Sequence, residues 1–236
     1  MSKVLVYSCV TGGHDCVTDS VLASISATEP QVSYVLYTDQ LSARTKPQSY
    51  QSPGSPIQWE LRPLLWQDPQ CPRRTARWHK VNAHRLPGDY DYTIWIDGSQ
   101  RIRALPLCQR ILRSVPDDTQ LAAFQHPLRS CIYDEALACI ARKKDRPEVI
   151  QKHMERYLRE GYPSAHGLVE TGCVLRRSTE AVTRFNQLWW EQLATGSFRD
   201  QLSFNYTVRR LGLPYAHLPG SGTKSVFFDF VRHPRK

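Results

Sequence analysis

Apolar runs alternate with polar segments along the chain, and the pattern predicts both strands and helices. Short runs rich in β-branched and aromatic residues predict strands at residues 3–10, 32–39, 59–64, 92–96 and 120–127. Helices are predicted at residues 21–27, 75–86, 146–161 and 178–196; in the last two, apolar side chains recur every three or four positions. Residues 167–177 predict a strand pair or one strand kinked at a central glycine.

This alternation is typical of an α/β protein with a mostly parallel mixed sheet and helices on both faces. The chain has 236 residues, of which 41% are hydrophobic, which suffices for one substantial core. We therefore expect a single domain over residues 1–236. Residues 42–58 are rich in serine, proline and glutamine, and they predict a surface loop.

Glycine and aspartate residues stand at the ends of three predicted strands. Gly12 and Gly13 follow the first strand, Asp39 ends the second, and Asp97 follows the run "YTIWI". Ligands of α/β sheets bind outside the carboxyl ends of the strands, so we expect these residues to share a substrate-binding edge. A tight turn is the favoured explanation for Gly-Gly and an equal alternative for Asp97-Gly98. The glycine pair lacks the spacing of dinucleotide-binding and P-loop motifs.

The chain carries a formal net charge of +9, which favours an anionic partner. The basic residues are dispersed and no nucleic-acid-binding motif accompanies them, so we expect a phosphorylated small molecule and no nucleic acid. An ordinary basic surface is the alternative.

The cysteines and the longest apolar runs bear on the compartment. Seven cysteines are scattered without a Cys-x-x-Cys pair, which disfavours a zinc site and a disulfide framework. No apolar run approaches the ~20 residues of a membrane-spanning helix, and the start shows no signal peptide. A cytoplasmic protein without a membrane span is the expectation.

The phrase "HPLRSCIYDEA" concentrates polar side chains directly after a predicted strand. Such a cluster at a strand end predicts a wall of a binding site, and we take His126, Arg129 and Glu135 as substrate-binding candidates. Glu135 has an equal alternative as a first-turn carboxylate that complements a helix dipole.

A set of phrases resembles the TOD/MUCI glycosyltransferase-like family, known best from plants. The resemblance spans about residues 3–206, and its combination of motifs is specific, while no single motif is. Plant members usually carry an amino-terminal membrane anchor, and we expect none here because no apolar run of the sequence is long enough to span a membrane. The phrases are "RRTARWHKVNAH", "YDYTIWIDGS", "FQHPLRSCIYDEA", "GLVETGCVLRR" and "WWEQLATGSFRDQLSFNY".

The resemblance implies a GT-A-like, Rossmann-related fold that binds a nucleotide-sugar donor and a carbohydrate or other hydroxyl acceptor. It also implies a divalent metal, Mn or Mg, on Asp97, although Ser99 stands where the usual Asp-x-Asp motif has its second aspartate. A carboxyl-terminal histidine is the implied further ligand. His217, which precedes a glycine-rich loop, is preferred to His233. In a metal-free alternative, Arg and Lys neutralise the diphosphate.

Four further roles follow from the same resemblance. Arg77 and Lys80 share one face of a basic helix, and they are implied to reach the donor. Glu170 is the carboxylate of the strand implied to line the acceptor side. Asp200, in "RDQLSFNY", is implied to be the catalytic base or a sugar ligand, with a helix cap as the alternative.

The function expected from the sequence is therefore glycosyl transfer, hexosyl or pentosyl, from a nucleotide-sugar donor. A metal-dependent hydrolase and a catalytically silent nucleotide- or carbohydrate-binding module are the two alternatives. No Gly-x-Ser-x-Gly elbow or His-Glu-x-x-His helix supports the hydrolase.

Overall fold

The computed structural model describes residues 2–12, 29, 31–40, 48–51, 58–103 and 106–230. The helix predicted at residues 21–27 lies outside these ranges. The described strands are β1 (Val4–Val10), β2 (Val32–Thr38), β3 (Gln48–Gln51), β4 (Gln58–Pro63), β5 (Tyr92–Ile96), β6 (Gln100–Ile102), β7 (Leu121–Gln125), β8 (Val169–Arg177), β9 (Ala216–Leu218), β10 (Gly220–Ser221), β11 (Lys224–Ser225) and β12 (Phe228–Phe230).

Six α-helices are described, together with one 3-10 turn at Ala83–Arg85. Within the described ranges, no helix is both long and apolar enough to cross a membrane. The helices are α1 (Pro72–Val81), α2 (Leu107–Leu112), α3 (Ile132–Ala141), α4 (Pro147–Arg159), α5 (Glu180–Thr195) and α6 (Gln201–Leu211).

The described part of the main sheet has eight strands in the order β3-β4-β2-β1-β5-β8-β7-β9. Strands β4, β2, β1 and β5 run parallel to one another, and β9 runs parallel to β7. Strand β8 lies antiparallel between β5 and β7, and β3 is antiparallel to β4. The predicted α/β fold with a mixed, mostly parallel sheet is confirmed.

Helices cover both faces of this sheet, because alternate residues of the buried strand β1 face two different cores. Val4 and Val6 pack in one cluster with α2, whereas Leu5 and Tyr7 pack in another with α1, α5 and α6. A third apolar cluster joins α3, α4 and α6. Because both faces of β1 are buried, its sequence is a continuous apolar run.

Two sequence predictions need correction. The predicted loop at 42–58 contains the short strand β3, which among the described strands pairs with β4 alone, at the edge of the sheet. Helix α1 begins three residues before the predicted start, with Pro72 in its first turn, and it ends at Val81. Residues 169–177 form one strand, and the residues around Gly172 have no partner between Ala123 and Phe124 of β7, which agrees with the alternative of one strand kinked at a central glycine.

Strand direction brings several chain segments to one edge of the sheet. Strands β1, β2 and β5 end there, and antiparallel β8 begins there. Ile96 pairs with Cys173, and the next backbone N–H, of Asp97, donates to the Gly172 carbonyl at 2.8 Å. Glycine at position 172 allows the Gln100 side chain to approach the backbone closely. A Cβ added there would lie only 3.2 Å from the Gln100 amide nitrogen.

Candidate active site

Asp97 stands at the carboxyl end of β5 and holds two partners through one oxygen. Its Oδ1 accepts a hydrogen bond from the Trp95 indole N–H at 2.6 Å and one from the Lys80 ammonium at 3.1 Å. Its backbone carbonyl accepts from the Gln100 N–H at 2.8 Å, which closes a turn. Asp97 therefore makes the turn with its backbone and an ion pair with its side chain.

Asp200 is the centre of a buried ion cluster at the start of α6. Its Oδ1 lies 3.0 Å from Arg77 Nε, and its Oδ2 lies 2.6 Å from Lys80 Nζ. The Thr171 hydroxyl also donates a hydrogen bond to Oδ2 at 2.7 Å. The side chains of Lys80 and Asp200 are 0% and 1% exposed. Asp200 occupies the cap position of α6, but its side chain forms no capping hydrogen bond, so the helix-cap alternative does not describe its role.

The surrounding cations control the ionisation of Asp200. Burial alone would raise its pKa, but the charges of Arg77 and Lys80 outweigh burial and hold the pKa of this carboxyl far below its usual range. Asp200 is therefore an ionised anion with both oxygens engaged. Such a group is a weak proton acceptor.

Glu170 lies on β8 and differs from Asp200 in both burial and partners. Its Oε2 accepts the Gly222 backbone N–H at 2.7 Å, and no hydrogen bond to its Oε1 is made by the described residues. Burial raises the pKa of Glu170, against the opposing Gly222 hydrogen bond. A partly exposed carboxylate with a raised pKa is a better proton acceptor than one held ionised by cations.

One cleft of about 150 Å³ unites these groups. Asp97, Glu170, Asp200 and Arg77 all line it, so the structure brings together four residues predicted from distant sequence segments. Lys80 lies behind them, fully buried, and 5.5 Å from the Trp95 ring. The cleft thus combines carboxylates with a guanidinium at the edge where α/β sheets bind ligands.

The second predicted cluster lies beside this cleft, after β7. Arg129 Nε donates to Glu135 Oε2 at 2.6 Å, and His126 Nδ1 accepts the Arg129 backbone N–H at 3.0 Å. Burial lowers the pKa of His126. The charges of Glu135 and Arg129 both act on the pKa of Glu170. Glu135 belongs to the first turn of α3 and also to this ion pair.

The predicted groups at the ends of β1 and β2 interact with each other. Asp39 Oδ2 accepts hydrogen bonds from the Thr11 hydroxyl at 2.8 Å and from the Gly12 N–H at 2.7 Å. Gly12 has a φ of 72°, a left-handed conformation that suits glycine. The same edge therefore presents an ordered turn, while Gly13 and His233 lie outside the described residues.

The described residues around Asp97 do not fit a divalent cation. Asp97 Oδ1 and both Asp200 oxygens already pair with ammonium or guanidinium groups, which would repel a metal at the same place. Within the described ranges, no three His, Cys, Asp or Glu side chains are grouped as metal ligands.

His217 is not brought to Asp97. It is exposed on β9, where it pairs with Ala123, and its ring contacts Tyr215. Strand β9 is three strand positions from β5, or roughly 14 Å at the usual strand spacing. A metal ligand shared with Asp97 requires approach to within about 2–2.6 Å of the same ion.

Comparison with known proteins gives the family. The family model "TOD1/MUCI70, glycosyltransferase-like domain" matches residues 1–227. This chain belongs to that family. No curated protein matches the chain.

The TOD1/MUCI70 chain also has a remote structural likeness. Mouse xyloside xylosyltransferase 1 in its apo form superposes with a TM-score of 0.48 at 11% sequence identity, over 92% of this chain and 84% of that one.

Several residues of the TOD1/MUCI70 cleft were not predicted. Arg199 and Gln201 flank Asp200 and line the cleft with Gln100 and Gly222. The Gln100 amide donates to the Gly222 carbonyl at 2.9 Å. Proximity to Asp200 in the sequence could have indicated Arg199 and Gln201. Gln100 follows Asp97 by three residues, but the sequence does not indicate its burial, which depends on the hairpin of β10 and β11 that reaches the cleft through Gly222.

We expect Asp200→Asn to lower the free energy of unfolding by about 3 to 5 kcal/mol, because it removes the buried carboxylate that pairs with both Lys80 and Arg77 and leaves only the partly exposed Asp97 to balance them. Asp97→Asn should cost about 1 kcal/mol or less, because the Asp97 side chain is 30% exposed. Urea unfolding of both variants measures the difference. Equal stability of the two variants would contradict the assignment of Asp200 as the centre of the cluster.

Proposed function

We propose that this protein transfers a glycosyl group, hexosyl or pentosyl, from a nucleotide-sugar donor to a hydroxyl of a carbohydrate or other acceptor. The observation that carries the proposal is the strand-end cleft in which Asp97, Glu170, Asp200 and Arg77 meet. These residues lie within the part of the chain matched by the glycosyltransferase-like family. The +9 net charge suits an anionic donor.

The positive charge for the departing diphosphate is assigned to guanidinium groups of the cleft. Arg77 and Arg199 both line it, and the Arg77 side chain is 19% exposed. A guanidinium can donate two parallel hydrogen bonds to phosphate oxygens. Such fixed donors stabilise the charge that develops as the sugar–phosphate bond breaks. No step is assigned to a metal, because the described ligand set does not fit one.

Glu170 is assigned as the catalytic base. Its raised pKa and its Oε1 suit it to accept the proton of the acceptor hydroxyl. The hydroxyl oxygen then bonds to the anomeric carbon while the bond from that carbon to the diphosphate oxygen breaks. Asp200 is a positioning residue in this proposal, since it orients Arg77 and balances Lys80.

Turnover of a panel of nucleotide-sugars tests the proposed reaction. We expect at least one donor to release its nucleoside diphosphate faster when an acceptor is added, with glycosylated acceptor as product. The rate should persist in a metal chelator. Release that is independent of every acceptor, with free sugar as product, would favour the hydrolase. Saturable donor binding without any release would favour the silent binding module.

The pH dependence of kcat/KM tests Glu170. Because burial raises its pKa, the base should be lost on acidification at a pH above the ordinary glutamate value of about 4.3. Glu170→Gln should lower kcat by roughly 100-fold or more and remove this acidic limb. Asp134→Asn is the control, since Asp134 carries a carboxylate in the first turn of α3 and does not line the cleft. An unchanged acidic limb in Glu170→Gln would contradict the assignment.

A further inference from the structure

A second cavity, of about 370 Å³, lies on the face of the sheet covered by α1 and α5. Thr93, near the amino end of β5, and Arg176, near the carboxyl end of β8, form part of its wall. Asp97 follows the opposite end of β5, about 13 Å along the strand from Thr93. The cavity is therefore distinct from the candidate active site, with which it shares no lining residue.

Arg176 contributes a buried positive charge to this cavity. It is 1% exposed, and its guanidinium donates to the Tyr7 hydroxyl at 3.1 Å and to the Lys80 carbonyl at 3.0 Å. The Trp189 ring lies 5.6 Å from the guanidinium carbon. No carboxylate of the described residues forms an ion pair with it, and its Nε has no hydrogen-bond partner among them. A buried charge without a counterion is costly, so an anion would compensate it.

Three other polar side chains of the wall also lack partners within the described ranges. The atoms without a hydrogen-bond partner are Thr93 Oγ1, Asn186 Oδ1 and both ring nitrogens of His84. Thr93 and Asn186 are only 6% and 2% exposed. A buried polar group without a partner costs about 1–3 kcal/mol, and these groups come from separate elements that converge on one cavity. Their convergence indicates a polar ligand.

The groups on the wall favour an anion as that ligand. The hydroxyl of Thr93 and one nitrogen of His84 can donate, and the Asn186 amide can donate when its oxygen and nitrogen exchange places. Thr179 is the N-cap residue of the 16-residue helix α5, and it also lines the cavity. The positive end of the helix dipole therefore lies at the cavity, where it favours an anion.

The two carboxylates that line the cavity face solvent. The Asp89 side chain is 99% exposed, and the Glu180 side chain is 83% exposed and pairs with Arg184 at 3.3 Å. The negative charges are therefore at the mouth, and the buried charge is the Arg176 guanidinium.

We propose that this cavity binds the phosphate group of a small phosphorylated molecule, held by Arg176 together with Thr93, Asn186 and His84. A tetrahedral oxyanion offers enough acceptors for all four side chains. The volume also leaves space for the organic part of a small phosphate ester, which free phosphate would not fill.

Isothermal titration of the full chain with inorganic phosphate and with glycerol 1-phosphate tests this proposal, against chloride and acetate at equal ionic strength. We expect saturable binding of both phosphates. Thr93→Val and Asn186→Leu should each weaken it about tenfold, the value for a hydrogen bond of about 1.4 kcal/mol to a charged group. Arg113→Gln removes an exposed arginine elsewhere and should retain the wild-type affinity. Arg77→Gln is titrated beside it to detect phosphate that binds in the candidate active site.

Circular dichroism and the melting temperature of each variant without phosphate verify that the fold is kept. Two variants are used because either substitution alone could disturb its strand or helix. Absence of saturable phosphate binding would overturn the proposal, as would equal affinities of wild type, Thr93→Val and Asn186→Leu. Loss of binding in Arg77→Gln would place the phosphate in the candidate active site instead. Acetate binding as tight as that of phosphate would overturn the phosphate assignment.

Discussion

The buried ion pair between Lys80 and Asp200 is the interaction on which the candidate active site depends. An ammonium and a carboxylate, both removed from solvent, are tolerated only because each has further partners: Asp97 for the ammonium, and Arg77 and Thr171 for the carboxylate. Three parts of the chain, α1, the end of β5 and the start of α6, are thereby fixed at one edge of the sheet. Removing one member would leave a charge in the core, so the cluster constrains the geometry of the cleft as well as its electrostatics.

This cluster also changes how the cleft can handle a charged substrate. A carboxylate at a strand end suggests a metal, but Asp97 meets a lysine through the same oxygen that binds the Trp95 indole. The positive charge is built into the protein, and Arg77 and Arg199 are the parts of it that reach the cleft. Glu170, which has no cation within ion-pair distance among the described residues, is left as the carboxylate able to exchange a proton.

Much of this arrangement could be predicted from sequence, for identifiable reasons. Strand β5 is a short β-branched and aromatic run, so both the strand and the position of Asp97 at its end followed from the pattern. The parallel direction of β1, β2 and β5 then required Gly12, Asp39 and Asp97 to share an edge.

The contacts between residues distant in sequence could not be predicted. Lys80 and Asp200 could each be identified as a candidate, but their direct contact depends on how α1 packs against α5 and α6. The sequence of β3 shows no apolar pattern. Its backbone pairs with β4 at the edge of the sheet, and this pairing does not depend on apolar side chains. From the sequence, Arg176 would be expected at an exposed, basic strand end, and only the packing of the fold shows that it is buried.

A crystal structure with the nucleoside diphosphate of the preferred donor, grown in a metal chelator, tests the central claim most directly. The claim is that the cleft binds the diphosphate through cations of the protein. The account predicts diphosphate oxygens within hydrogen-bonding distance of the Arg77 guanidinium, with the Lys80–Asp200 pair intact behind it. A diphosphate bound away from this cleft, or one that appears only when a divalent cation is supplied and is held through that cation by Asp97, would contradict it.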